Sequence, residues 1–197
     1  MPDGPIDLDD VTDDAVALMD HLGHTTFAVV GYSLGAVCAL HTAARHPARV
    51  SSVVSLCGWA TTDARMRATF ALWRKLIGIS PELFMHYAIV DGSTAGAVAM
   101  LEPVFDGAVS LAASLVAPGS DAHLELDARV DISADLPCIS CPVLVIGGLE
   151  DRWVDISHSR HIADTVDGAV LLELPAGHLV ISEMAGDIAR AVTSHIG

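Results

Sequence analysis

Basic residues are scarce in this sequence. Its 197 residues contain 10 Lys and Arg against 25 Asp and Glu, which gives a formal net charge of −15. Nucleic acids and anionic membranes are both bound through basic surfaces. The charge balance therefore argues against either of them as a partner.

Cysteines and long apolar runs are also few. Four cysteines are too sparse for a disulfide scaffold, and this favours a reducing, cytoplasmic location. The longest stretch without Asp, Glu, Lys, Arg or His is Thr25–Leu40, which is shorter than the ~20 residues of a membrane span. The first residues are acidic, whereas a signal peptide begins with basic ones. We therefore expect neither a membrane-spanning helix nor a signal peptide.

Apolar residues, in contrast, are plentiful. They make up 52% of the chain, and the mean hydropathy is +0.50, so the chain is not a disordered one. At ~150 residues per domain, the length predicts one compact domain with a core of its own.

Short apolar segments alternate with segments of helical periodicity. Four segments are predicted to be buried strands: Phe27–Val30, Val50–Leu56, Val143–Ile146 and Ala169–Leu174. Four helices are predicted around them: Asp7–Leu22, Leu34–Arg45, Ile156–Val166 and Ile181–Ile196. This alternation predicts an α/β fold in which helices cover both faces of a parallel sheet.

Between Trp59 and Leu136 the sequence is helical, with no convincing strand. The predicted helices are Asp63–Leu76, Pro81–Val90, a piece around Ala95–Leu101, Val104–Val116 and Ser120–Val130. A helical insertion inside an α/β pattern predicts a cap above the carboxyl ends of the strands. We therefore assign 59–136 to a cap and assign 1–58 and 137–197 to the core.

The sequence Gly31-Tyr32-Ser33-Leu34-Gly35 lies directly between a predicted strand and a predicted helix. A serine on such a sharp turn projects above the sheet, and the residues two before and two after it are pressed together. We therefore expect that only Gly or another very small residue fits at these two positions. The start of the helix would also favour a developing oxyanion. The alternative is that the five residues form only a structural turn.

A serine hydroxyl needs a base and a group that orients the base. Asp151 and His178 each follow the end of a predicted strand, which is where open α/β sheets build their sites. Glu150 and Asp155 are alternatives to Asp151, although Asp155 is better placed to cap the next helix. Surface or loop positions are expected for seven other histidines: His21, His24, His41, His46, His86, His123 and His195.

The segments GYSLGA, CPVLVIGGLEDRWV and ELPAGHLV resemble the nucleophile elbow, acid strand and histidine loop of the α/β-hydrolase superfamily. The segment DARMRATFALWRKLIGISPELF resembles the helical lid of its 3-oxoadipate enol-lactonase-like and esterase branch. The resemblance implies a Ser33–His178–Asp151 triad and an oxyanion site at the amide of Leu34. A serine at the elbow argues against haloalkane dehalogenases and epoxide hydrolases, whose nucleophile in this superfamily is an aspartate.

The sequence also departs from the resembling family, because only one predicted helix precedes the elbow. Members of the family carry several strands there, and a loop among them supplies the second oxyanion donor. The open edge beside Phe27–Val30 leads to two expectations: the chain is a fragment, or a second chain covers the edge. A homodimer joined along that edge is one possibility.

The predicted activity is hydrolysis of a small-molecule carboxylic ester or lactone, with no cofactor. Thioesterase, perhydrolase, acyltransferase and carbon–carbon hydrolase chemistry stay open. So does a catalytically weak remnant that acts as a subunit or a ligand-binding module. Candidate pocket residues are Tyr32, Trp59, Phe70, Trp73 and Phe84, for which core packing is the alternative.

The remaining cysteines and histidines form no convincing metal site. Cys138-x-x-Cys141 has finger-like spacing, but the spacing of His158-x-x-His161 is one residue short, and a predicted strand lies between the two pairs. We therefore expect no metal. Cys38 and Cys57 are expected to be small buried residues.

Overall fold

A computed structural model describes residues 5–197. Its sheet has four parallel strands in the order β1-β2-β3-β4: β1 Phe27–Tyr32, β2 Val50–Leu56, β3 Val143–Gly148 and β4 Val170–Leu174. The four predicted strands are confirmed to within two residues at each end. The predicted α/β fold with a parallel sheet is also confirmed.

Ten α-helices connect or flank these strands in the described part of the chain. They are α1 Leu8–His21, α2 Leu34–Arg45, α3 Ala64–Ile79, α4 Pro81–Gly92, α5 Ala95–Leu101, α6 Phe105–Ser114, α7 Ser120–Asp127, α8 Ile156–Thr165, α9 Val180–Glu183 and α10 Ala185–Ile196. Asp155 caps α8 by accepting a hydrogen bond from the Ser157 amide, as its position in the sequence indicated. The prediction of one helix over Ile181–Ile196 was wrong, because α9 ends before Met184 and α10 begins after it.

The two faces of the sheet pack against separate cores. Along β2, the side chain of Val53 belongs to the core under α2, α3 and α8, whereas that of Val54 packs toward α9 and α10. In β3, the side chain of Val145 likewise belongs to the first core and that of Ile146 to the second. Strands that are buried on both faces carry apolar residues at successive positions, and this pattern allowed both strands to be predicted from the sequence.

The helical segment between β2 and β3 is closed at its base by a short antiparallel pairing. The Thr62 amide donates to the Val130 carbonyl at 2.9 Å, and the Ile132 amide donates to the Ala60 carbonyl at 2.8 Å. Above this base, α4 packs against α3, α5 and α6. The pairing holds the two ends of the segment together, and the division into a cap at 59–136 and a core stays a prediction.

One helical run, Ala95–Ser114, is long and apolar enough to cross a membrane by length and composition alone. The run consists of α5, a single 3-10 turn and α6, and few of its residues are buried. The expectation that no segment is long and apolar enough for a membrane span was therefore too strict. It considered only stretches without charged residues, and Glu102 and Asp106 interrupt this run.

The strand β1 lies at one edge of the sheet formed by the described residues. It pairs with β2 along its whole length, and the Val30 side chain is about half exposed. Cover of this edge by a second chain stays a prediction.

Asp127, at the end of α7, is buried, and its Oδ1 has no hydrogen-bond partner in the described structure. Burial disfavours the charged carboxylate and raises the pKa of Asp127 from 3.8 to about 7. Because the folded state holds this proton more tightly, stability falls as the pH rises from about 4 to about 7.

We therefore expect Asp127→Asn to increase the free energy of unfolding at pH 8 by about 4 kcal/mol and to have little effect at pH 4. Urea unfolding of both proteins at the two pH values measures the difference. An equal effect at both values would exclude a buried, ionising Asp127.

Candidate active site

Ser33 stands on a strained turn between β1 and α2. Its φ of 55° lies in the left-handed region, which non-glycine residues rarely occupy. The Ser33 amide donates to the Leu56 carbonyl of β2 at 2.9 Å, and this bond fixes the turn to the sheet. Such strained backbone clusters at functional sites, where the surrounding structure holds it in place.

The two glycines of the turn are not equivalent. A Cβ atom on Gly31 would lie 1.9 Å from the Gly35 carbonyl oxygen, which no backbone adjustment short of opening the turn can relieve. A Cβ atom on Gly35 would meet nothing within 4 Å. A very small side chain therefore fits at position 35, as expected, whereas at position 31 even the methyl group of alanine collides, because the close approach there involves the carbonyl group of Gly35.

The structure brings Ser33, His178 and Asp151 into one hydrogen-bonded chain. The Ser33 hydroxyl lies 3.0 Å from His178 Nε2, and His178 Nδ1 lies 2.7 Å from Asp151 Oδ2. His178 and Asp151 are buried, whereas Ser33 is half-buried. The carboxylate selects the tautomer with a proton on Nδ1, so Nε2 is free to accept the serine proton.

The turn after β3 fixes the carboxylate of Asp151. Its Oδ1 accepts hydrogen bonds from the amides of Trp153 and Val154, both at 2.9 Å, which leaves Oδ2 for His178. The neighbouring Glu150 is exposed, and Asp155 is occupied as the cap of α8. Of the three acidic candidates, the structure therefore places only Asp151 against His178.

Aromatic rings flank the imidazole of His178. The Tyr32 ring centroid lies 5.2 Å from it, and the Trp153 ring centroid lies 4.8 Å from it. The Tyr32 hydroxyl also donates to the His178 carbonyl oxygen at 2.8 Å. Burial, followed by the nearby Cys57 and Asp151, raises the pKa of Tyr32 well above its usual range, so the hydroxyl keeps its proton.

Trp153 was missed as a site residue by the sequence reasoning. Its Nε1 donates to Asp91 at the end of α4 at 3.0 Å, so one side chain contacts both the helical segment and the histidine. Its position two residues after the acid, on the turn that follows β3, was the signal that could have identified it.

Cys57 lies beside this chain, directly after β2. Its φ of 48° is the second left-handed value among the non-glycine residues that the structure describes. One donor atom each from Cys57, Asp151 and His178 lie within 4.8 Å of one another. Burial and the nearby Asp151 raise the pKa of the Cys57 thiol well above its usual range, which stabilises the neutral thiol.

The structure does not assemble the cysteine and histidine pairs whose spacing resembles a zinc site. Cys138 is exposed and Cys141 is half-buried, and both are free thiols. The His158 ring contacts Asp63 at 3.3 Å instead.

Four of the candidate pocket aromatics lie in the large core. Trp59, Phe70, Trp73 and Phe84 stack in sequence, with ring centroids 5.4 to 6.1 Å apart. A cavity of about 600 Å³ lies instead between the helical segment and α9. None of the four lines this cavity, so their assignment to a substrate pocket stays a prediction.

Leu34, the candidate oxyanion donor, occupies the first position of α2. A backbone N–H at this position has no acceptor within its own helix. It is also the amide that follows Ser33, beside the serine hydroxyl. The geometry thus leaves a donor available where an oxyanion would develop.

Comparisons with known proteins identify relatives of this chain and its fold. The family model described as the alpha/beta hydrolase fold matches residues 3–77. The chain is 27% identical to pyrrolizixenacetamide deacetylase from Xenorhabdus hominickii, over 88% of this chain and 66% of that protein. It is 29% identical to the "Putative carbamate hydrolase RutD" from a Caulobacter species, over 84% of this chain and 63% of that protein. The chain thus spans slightly less than two thirds of the length of these two relatives.

Solved structures match a larger share of the chain. An enol-lactonase from Burkholderia xenovorans superposes with a TM-score of 0.86 at 23% identity, over 98% of this chain and 74% of that one. A hydrolase from Pseudomonas aeruginosa gives 0.85 at 25% identity, over 100% of this chain and 74% of that one. These likenesses establish the fold.

Proposed function

We propose that this chain, which has the alpha/beta hydrolase fold, is a serine hydrolase with Ser33 as its nucleophile. The proposed reaction is cleavage of a carboxylic ester or lactone through an acyl-enzyme. The observation that carries this proposal is the hydrogen-bonded chain from Ser33 through His178 to Asp151.

In the proposed mechanism, Ser33 Oγ attacks the substrate carbonyl while His178 Nε2 takes the serine proton. Asp151 holds the imidazole in the required tautomer and stabilises the imidazolium that forms. The Leu34 amide donates to the developing oxyanion. His178 then gives its proton to the leaving alcohol, which departs and leaves the acyl group on Ser33.

A water molecule that is activated by His178 completes the cycle. His178 Nε2 takes a proton from the water, whose oxygen attacks the acyl carbon. The bond from the acyl carbon to Ser33 Oγ then breaks, His178 returns the proton to Ser33 Oγ, and the carboxylic acid leaves. The half-buried position of Ser33 allows the water and the substrate to reach the hydroxyl, whereas the burial of His178 and Asp151 strengthens their interaction. No metal or organic cofactor enters these steps.

The names of the relatives favour a second substrate class. One is named an acetamide deacetylase and the other a putative carbamate hydrolase, and both an acetamide and a carbamate contain a carbonyl carbon bonded to nitrogen. The same mechanism cleaves an amide or a carbamate if His178 protonates the leaving nitrogen. A panel with an ester, a lactone, an acetamide and a carbamate therefore decides the leaving group.

Hydrolysis of p-nitrophenyl acetate and butyrate tests the proposal. We expect wild-type protein to release p-nitrophenol and Ser33→Ala to release it no faster than buffer, because the mutant lacks the nucleophile. Equal rates for the two proteins would contradict the proposed role of Ser33.

A further inference from the structure

Glu183, the last residue of α9, has a carboxylate that takes no part in the proposed mechanism but is hydrogen-bonded to two separate segments. Its carboxylate accepts hydrogen bonds from the Thr94 hydroxyl at 2.5 Å and from the Thr94 amide at 3.2 Å. The same carboxylate accepts a third bond from the Gly177 amide at 3.2 Å. One side chain thus joins the loop before His178 to the start of α5, 89 residues away along the chain.

Three different elements hold the backbone around His178. Glu183 holds the N–H of Gly177, the Tyr32 hydroxyl holds the carbonyl of His178, and the Gly92 carbonyl accepts from the Leu179 amide at 2.9 Å. These contacts lie before, at and after the histidine. The direction of the imidazole is therefore fixed by bonds outside its own loop.

The junction between α4 and α5 supplies two of the groups that meet this loop. Gly92 and Thr94 belong to the junction, and a Cβ atom on Gly177 would lie 2.4 Å from the Gly92 carbonyl oxygen. Nothing larger than glycine fits between the two segments in this arrangement. The loop and the junction are therefore in direct backbone contact, and Glu183 closes this contact from one side.

We propose that Glu183 is a positioning residue that holds the His178 loop against the junction Gly92–Thr94 and so sets the place of His178 Nε2. This proposal rests on the proposed function, because it assigns His178 the part of the base. The helical segment between β2 and β3 thereby also affects the reactivity of Ser33, because its junction Gly92–Thr94 holds the loop that carries His178.

The expected effect follows from how sharply proton transfer depends on distance. The separation of 3.0 Å between Ser33 Oγ and His178 Nε2 lies within the range for direct transfer, about 2.6 to 3.2 Å. A displacement of about 1 Å can reduce the rate about 100-fold. Loss of Glu183 removes three bonds that oppose such a displacement, although its side chain is hydrogen-bonded to neither Ser33 nor Asp151.

Glu183→Ala and Glu183→Gln separate positioning from charge. We expect the alanine variant to lower kcat for p-nitrophenyl butyrate by about 10- to 100-fold, with KM within about 3-fold of wild type. The glutamine variant should restore kcat to within about 3-fold, because its Oε1 can accept from the two amides and its Nε2 can donate to the Thr94 hydroxyl oxygen.

Asp187→Ala is the matched control, since it removes a carboxylate four residues later that pairs with Arg190 on the surface of α10. Its kcat should stay within 2-fold, as expected for an exposed pair. If Glu183→Ala does not fold, Thr94→Val replaces it, with an expected several-fold loss in kcat. Unchanged kcat in the folded alanine or valine variant would overturn the proposal, as would equal losses in the alanine and glutamine variants.

A proton NMR measurement tests positioning independently of turnover. The Nδ1 proton of His178, which is bonded to Asp151, should give a low-field resonance that Asp151→Asn removes. We expect this resonance to persist in Glu183→Gln and to broaden or disappear in folded Glu183→Ala. If the resonance persists in the alanine variant, the positioning role is overturned. If wild-type protein does not hydrolyse esters, this result counts only against the proposed function.

Discussion

Asp151→Asn is expected to lower kcat by about 10,000-fold without unfolding the protein. A matching loss is known for the asparagine variant of a Ser–His–Asp triad, in which the geometry stays intact and the tautomer is wrong. In this chain the reason can be traced to two backbone amides, because those of Trp153 and Val154 both donate to Asp151 Oδ1.

The two amides determine how an asparagine would lie. Its oxygen must accept from Trp153 and Val154, so its NH₂ group faces His178 Nδ1 in place of the carboxylate oxygen. The imidazole then accepts at Nδ1 and carries its proton on Nε2, where it can no longer take a proton from Ser33.

Steady-state kinetics on an ester substrate measures this effect, and thermal unfolding shows whether the fold persists. Glu150→Gln is the matched control, because Glu150 is adjacent and exposed, and its kcat should change less than 2-fold. A loss of less than 10-fold in Asp151→Asn would contradict the assigned role of the carboxylate.

Gly31→Ala is expected to abolish the native turn and with it the soluble, folded protein. The added methyl group would lie 1.9 Å from the Gly35 carbonyl oxygen and 2.6 Å from the Ala36 nitrogen, both of which are backbone atoms. Relief requires β1 and α2 to separate, which breaks the packing of α2 against β1 and β2.

Gly35→Ala provides a control of identical chemistry four residues away. Its Cβ meets nothing within 4 Å, and alanine favours a helix over glycine by about 1 kcal/mol, so we expect an unchanged or higher melting temperature. Soluble expression and thermal unfolding compare the two variants. Gly31→Ala with wild-type stability would show that the close approach at the turn is not needed.

The fold could be predicted largely because its signals are local. The strands β2 and β3 are buried on both faces over nearly their whole length, and successive apolar residues such as Val53–Val54 and Val143–Ile146 predict such strands. The contact between Ser33, Asp151 and His178 could be predicted because each residue follows a strand end, and parallel strands bring their ends to one edge of the sheet.

Contacts between distant segments could not be predicted in this way. The bond from Thr94 to Glu183 joins residues 89 apart, and neither residue stands in a motif. Trp153 and the unequal roles of Gly31 and Gly35 depend on which atoms meet in three dimensions. The sequence pattern shows that two small residues recur around Ser33, but it does not show which side chain would collide.

Labelling with a fluorophosphonate tests the central claim most directly, because this reagent forms a covalent bond only with a serine whose hydroxyl is activated by a base. We predict one adduct per chain by intact-protein mass, with the peptide map placing it on Ser33. Asp151→Asn should slow the labelling, and Ser33→Ala should abolish it. Folded wild-type protein that forms no adduct, or forms it on a serine other than Ser33, would contradict the account.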